Sequence, residues 1–66
     1  MKISELKCGK IVQCPPDRGD NGYIAKIYSY EHVENTNVHG VKYVWVTVVR
    51  IDGKPTKHVW PSHRLS

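Results

Sequence analysis

The sequence predicts an all-β fold, a small barrel of four to five antiparallel strands with one short helical turn near the C-terminus, on three observations. Val41 to Ile51 is an eleven-residue run rich in β-branched and aromatic residues, a composition that suits a pleated, half-buried surface. The run stops at Asp52-Gly53, a strong short-range hairpin signal. Shorter runs of the same character, Lys10 to Cys14, Tyr23 to Tyr30 and Thr56 to Trp60, are set apart by Pro, Gly and Asn residues that punctuate strands. Closing such a sheet removes the unpaired edges that four short open strands would present.

In chain order, Ile3 to Gly9 reads as a short turn or helical start that feeds the first strand, and Pro15-Pro16 ends that strand because proline lacks the N–H the ladder needs. Asp17 to Gly22 is a polar turn whose Gly and Asn residues tolerate positive φ. Its Arg18-Gly19-Asp20 tripeptide reads as turn composition. Tyr23 to Tyr30 is the second strand, with Lys26 marking a solvated face. Glu31 to Gly40 is a polar connection with Asn35-Thr36-Asn37 at its tip, expected to be a mobile hairpin loop. The long run is strand three, and Ile51 to Lys54 makes a tight turn. Thr56 to Trp60 returns antiparallel after Pro55, and Pro61 to Leu65 forms one helical turn that closes onto the core through Leu65, after which the last residues can pair again.

The long run also carries the question of which face is inside. Its odd positions, Val41, Tyr43, Trp45, Thr47, Val49 and Ile51, are uncharged, whereas the even ones read Lys42, Val44, Val46, Val48 and Arg50. Side chains alternate between faces along a strand, so charge parity sends Tyr43 and Trp45 inward. It leaves Val44, Val46 and Val48 as an outward ridge between Lys42 and Arg50, the composition of a protein contact. A bulge or strong bend that swaps parity midway would bury these valines instead. On the last strand the same reading turns Val59 inward and Trp60 outward.

Sixty-six residues make one domain, 1–66, that buries only about 60% of the surface of its unfolded chain. A pocket of a few hundred cubic ångströms would consume most of such a core, so catalysis would require oligomerisation. Ten Lys and Arg against six Asp and Glu give a net charge of +4, which favours polyanionic partners. No segment approaches the roughly 18 apolar residues of a membrane span, and Met1 to Leu6 lacks the apolar stretch of a signal peptide. The expectation is a cytoplasmic protein with Cys8 and Cys14 reduced.

Candidate chemistry is sparse. Cys8 and Cys14 are spaced more widely than a zinc knuckle, the acidic residues fall in turns and loops, and no nucleophile stands beside a base. The expectation is therefore no metal, no cofactor and no enzymatic activity. What remains is basic residues interleaved with aromatics: Lys26 and Tyr28, then Lys57, Trp60, His63 and Arg64. Aromatic faces stack on unpaired bases and Lys or Arg displaces counterions from phosphates.

The spacing Leu6-x-x-Gly9-x-x-Val12, Gly22-x-Ile24, the long strand, Asp52-Gly53 and Val59-x-Pro61-x-x-x-Leu65 resembles the SH3-like small barrels, among them KOW, Tudor and plasmid-type dihydrofolate reductase relatives. The resemblance implies a small barrel whose loops choose an RNA, DNA or peptide ligand. The reductase barrels place Val-Gln-Ile-Tyr before a proline to line a tetramer pore. The matching stretch here is Lys57-His58-Val59-Trp60 before Pro61, which lacks that family's site residues. Taken together, the sequence predicts a small accessory or regulatory protein of a bacterium or its mobile elements that binds RNA or DNA through Lys26, Tyr28, Lys57, Trp60, His63 and Arg64. The rival reading is a protein-interaction module or homo-oligomer built on Lys42, Val44, Val46, Val48 and Arg50, and a reductase-like oligomeric enzyme comes third.

Overall fold

The computed structural model describes residues 1–16 and 21–66. Asp17 to Asp20, and with them the Arg18-Gly19-Asp20 tripeptide, lie outside the described residues. The fold is all-β. Strands β1 (Ile11–Cys14), β2 (Tyr23–Tyr30), β5 (Trp45–Arg50) and β6 (Lys57–Pro61) form one antiparallel sheet in the order β1-β2-β5-β6, and β3 (Asn35–Thr36) pairs with β4 (Lys42–Tyr43) in a separate ribbon. Two single 3-10 turns, Ile3–Glu5 and Ser62–Arg64, complete the chain. Ser66 exchanges two main-chain hydrogen bonds with Gln13, at 2.7 and 3.2 Å. The end of the described chain therefore lies against the free edge of β1, and the sheet wraps around a single core.

That core corrects the parity expected from charge. Val44, Val46 and Val48 are buried, Val46 completely, together with Leu6, Val12, Cys14, Tyr23, Ala25, Ile27 and Leu65. Trp45 is 39% exposed, and Tyr43 is only half-buried. The valine ridge flanked by Lys42 and Arg50 is thus the inside of the domain, and it is not available as an interface. The reason is volume: a core of ten residues, most of them valine-sized or slightly larger, has space for compact β-branched side chains but not for Trp45 as well. The charges that set the expectation sit at the ends of the run, where the chain leaves the sheet. Lys42 is exposed on β4, and the Arg50 guanidinium lies 5.1 Å from the Tyr23 ring centroid and bonds Asp52 at 2.7 Å.

The long run is one strand in sequence but two in space, broken at Val44. There Ser62 accounts for both main-chain groups, its Oγ accepting the Val44 N–H at 3.1 Å and its own N–H donating to the Val44 carbonyl at 2.9 Å. Ser62 is fully buried and satisfied, so it costs no unpaired polar group in the core. The connection expected to be a hairpin loop carries a short antiparallel hairpin, β3 with β4. Asn37 Oδ1 accepts the N–H groups of His39 and Val41, both at 2.9 Å, and closes the turn in the manner of an Asx turn.

A β-bulge does occur, but in β2. Ile27 pairs with Val48 and Ser29 with Thr47, leaving Tyr28 as the extra residue. Before the bulge Tyr23, Ala25 and Ile27 face the core; after it Tyr30, opposite Val46, packs against it. The bulge lets one strand keep aromatic and aliphatic side chains inside while Tyr28 points out.

The Asp52-Gly53 turn also departs from expectation. Gly53 is not among the glycines with positive φ, which a two-residue type I′ hairpin would demand, and the hairpin closes further out, where the Arg50 N–H donates to the Thr56 carbonyl at 2.9 Å. Asp52 is engaged elsewhere: its carboxylate accepts the Ile24 N–H at 3.0 Å and the Arg50 Nε–H at 2.7 Å. At the same end of β2, Gly22 has φ 87° and a side chain there would meet the Cys14 carbonyl at 2.7 Å, so the turn into β2 requires glycine.

Val46→Ala should lower stability by about 2 kcal/mol through lost burial and a residual cavity, whereas Val59→Ala, on the exposed face, should change it by less than about 0.5 kcal/mol. Urea midpoints decide between these, and equal losses would contradict the parity found. The Ile24 N–H first, and the Arg50 guanidinium second, hold the Asp52 carboxyl below the usual carboxylate range. Its folded value lies under its unfolded one, so its contribution is present above the unfolded pKa, about 3.9, and is lost as pH falls through the folded value. The gap in melting temperature between the parent and Asp52→Asn should therefore be larger at pH 7 than at strongly acidic pH; a gap that stays constant would show that the charge of Asp52 does not matter.

Candidate functional site

The parity that buries the valines places a different set of side chains outside. The cross-strand register aligns Ile11, Lys26, Val49 and Lys57 in one row across all four strands of the main sheet. The next row holds Ser29, Thr47 and Val59, with bulged Tyr28 beside it, and a third pairs Trp45 with Pro61. Ile11 is 52% exposed, and Tyr28 and Val59 are each 59% exposed. Lys57 reaches across β5 so that its Nζ sits 4.5 Å from the Tyr28 ring centroid, a cation–π contact worth about 0.5–1 kcal/mol at an exposed site.

Charge on this face has one sign. The four strands of the main sheet contain neither Asp nor Glu, so Lys26 and Lys57 stand without a carboxylate from any neighbouring strand. The result is an apolar and aromatic surface with two cations, unlike the rest of the molecule, where Arg50 is bound to Asp52 and all the acidic residues lie.

Of the six residues expected to contact nucleic acid, Lys26, Tyr28 and Lys57 share this face. Trp60 does not. It packs against the core, its Nε1–H donates to the buried Tyr23 hydroxyl at 2.7 Å, and the Arg64 guanidinium lies 5.8 Å from its ring centroid. Val59, expected inside, takes the outer position instead. Lys57 and Val59 are two residues apart and so share a face, a signal present in the sequence that points Val59 outward. His63 stands apart from both groups, 5.3 Å from the Tyr43 ring, which in turn meets Trp45 edge-to-face at 5.4 Å. Trp45, Val49 and Val59, which parity turned inward, complete the face together with Ile11.

Other features offer less. Burial pushes the Cys14 thiol above its ordinary pKa, despite a hydrogen bond with Tyr23, which makes it a poor nucleophile. Among the described residues no group of three or more His, Cys, Asp and Glu is placed to hold a metal ion, and no helix is long and apolar enough to cross a membrane. An open groove of about 820 Å³ runs between the first 3-10 turn and the β3–β4 ribbon. Lys2, Lys42 and His63 border it, but so do Glu5 and Glu34, a mixture that selects neither anion nor cation.

Trp60→Ala should cost about 2–3 kcal/mol, because it opens the core edge and removes the indole N–H that donates to the Tyr23 hydroxyl, whereas Trp45→Ala should cost less than about 1 kcal/mol. Acrylamide should quench Trp45 emission in Trp60→Phe more strongly than Trp60 emission in Trp45→Phe; the reverse order would show that the two indoles have been assigned to the wrong sides. Comparison of the chain with protein-family models, with curated proteins and with solved structures finds no match.

Proposed function

We propose that this protein is a small non-enzymatic nucleic-acid-binding accessory or regulatory protein, acting in the cytoplasm, and that its binding surface is the outer face of the main sheet. One observation carries the reading: Lys26, Tyr28 and Lys57 converge on a sheet whose strands hold no carboxylate. A polyanion gains from the two ammonium groups by counterion release and meets no repulsion from the strands between them. The fold is read as an SH3-like barrel of the KOW and Tudor kind. Supporting that are the meander of four strands, the 3-10 turn after the last of them, and the return of Ser66 to β1.

The second reading, a protein contact or homo-oligomer, moves from the valines to this same surface, and the exposure of Ile11 and Val59 is what favours it. The two separate by their response to salt. Association through apolar side chains tolerates salt, whereas binding to phosphates weakens steeply with it.

In an equilibrium titration against RNA and DNA oligonucleotides across a salt series, Lys26→Ala with Lys57→Ala should lower affinity about tenfold. It should also flatten the slope of log K against log salt by about 1.4 to 1.8, the loss of two phosphate contacts. Binding that ignores both substitutions would remove this face from consideration, and concentration-dependent self-association insensitive to salt would establish the second reading in its place.

A further inference from the structure

We infer that the ligand of this face is an unpaired strand rather than a duplex, with Tyr28 and Trp45 as its two stacking positions; the inference rests on the nucleic-acid reading above. The balance of the surface decides it. A duplex presents phosphates on its outside and keeps its base faces stacked on one another, so a protein holds it mainly through many cations, with each phosphate neutralised adding to the salt dependence. The outer sheet face supplies two, Lys26 and Lys57. Most of what it offers is apolar: Ile11, Tyr28, Trp45, Val49 and Val59. Such area has no counterpart on a closed duplex, but it matches the exposed base and sugar faces of a single strand.

The geometry of the two rings supports separate bases. Tyr28 lies on β2 and Trp45 on β5, displaced along the strands because Ser29 pairs with Thr47 and Tyr30 with Val46. From strand spacing and rise their Cα atoms lie about 9–10 Å apart, which gives each ring its own base. Lys57 sits over one face of Tyr28, and the ring's 59% exposure leaves the other face for stacking. Trp45 is braced by its edge-to-face contact with Tyr43, at 5.4 Å and 88°, so its orientation is set before any ligand arrives. The aliphatic members of these rows, Ile11, Val49 and Val59, then cover sugar carbons, and the lysines hold the backbone that joins the bases.

The test uses one mixed-sequence oligonucleotide of about twelve nucleotides, within the range covered by small single-strand-binding barrels. It carries a 5′ fluorophore and is titrated both alone and annealed to its complement, by anisotropy at one salt concentration. The single strand should bind at least about tenfold tighter. Tyr28→Ala and Trp45→Ala should each weaken it by about five- to hundredfold, the loss of one stacked base, while Tyr28→Phe keeps the parent affinity and thermal melts show all three variants folded. Equal or tighter binding of the duplex, or indifference to both alanine variants, overturns the inference; if Lys26→Ala with Lys57→Ala still lowers affinity in that case, the nucleic-acid reading stands without it. Failure of both forms to bind removes the reading and the inference together.

Discussion

The interior of this domain is narrow, and its limited volume determines what stands on the surface. The core holds Val12, Val44, Val46 and Val48 beside Ala25, Ile27, Cys14 and two leucines, with Tyr23 as its single large ring. Interiors pack to the density of organic crystals, so once the valines of β5 occupy the inside there is no space for the residues between them. Trp45, Thr47 and Val49 go outward because of it. The exposed apolar face is therefore a consequence of packing the core with small side chains, and whatever use the molecule makes of that face begins with this constraint.

Holding such a small sheet in shape requires that backbone groups be satisfied where strands end. Three polar side chains do this at three exits from the sheet. Ser62 takes the Val44 N–H where β4 and β5 part, Asp52 takes the Ile24 N–H where β5 leaves β2, and Asn37 closes the ribbon turn. Two of the three act between segments distant in sequence, and they tie the hairpin after β5 and the last 3-10 turn to the body of the sheet. The side chains of the outer face thus project from strands whose ends are fixed. That is the condition for a surface to bind without first paying the entropy of ordering itself.

How much of this was legible in the sequence differs by kind of information. The four strands of the main sheet were readable, because β-branched runs bounded by Pro15-Pro16, Gly22 and Pro55 carry their own punctuation, whereas the break of the long run at Val44 was not. The face of the long strand was not, since charge and size gave opposite answers: Lys42 and Arg50 share parity with the valines but escape at the ends of the run. The local Asp-Gly signal was overridden by a contact with Ile24, 28 residues away, which no short-range pattern contains. Of the candidate site, Lys26, Tyr28 and Lys57 were legible. The bulge that sets Tyr28 outside while Tyr30 turns in has no local marker in Ile27-Tyr28-Ser29.

Under the single-strand reading proposed above, magnitudes require the face to act as a unit. Two stacked bases contribute about 2–6 kcal/mol, while a micromolar complex needs about 8 kcal/mol, so the rings alone fall short even at their upper limit. Two exposed ammonium groups alone provide only a weak, salt-sensitive attraction. Their contributions must be made to the same strand at the same time, which demands that Tyr28, Lys57, Lys26 and Trp45 lie on one surface with fixed spacing. The register does this: Val49 sets Lys26 opposite Lys57 across β5, and the extra residue in β2 brings Tyr28 under the Lys57 ammonium. Without the bulge, Tyr30 and Tyr28 would share a face and the strand would have to bury both or expose both. One inserted residue therefore lets Tyr30 pack against the core while Tyr28 stands on the outer face.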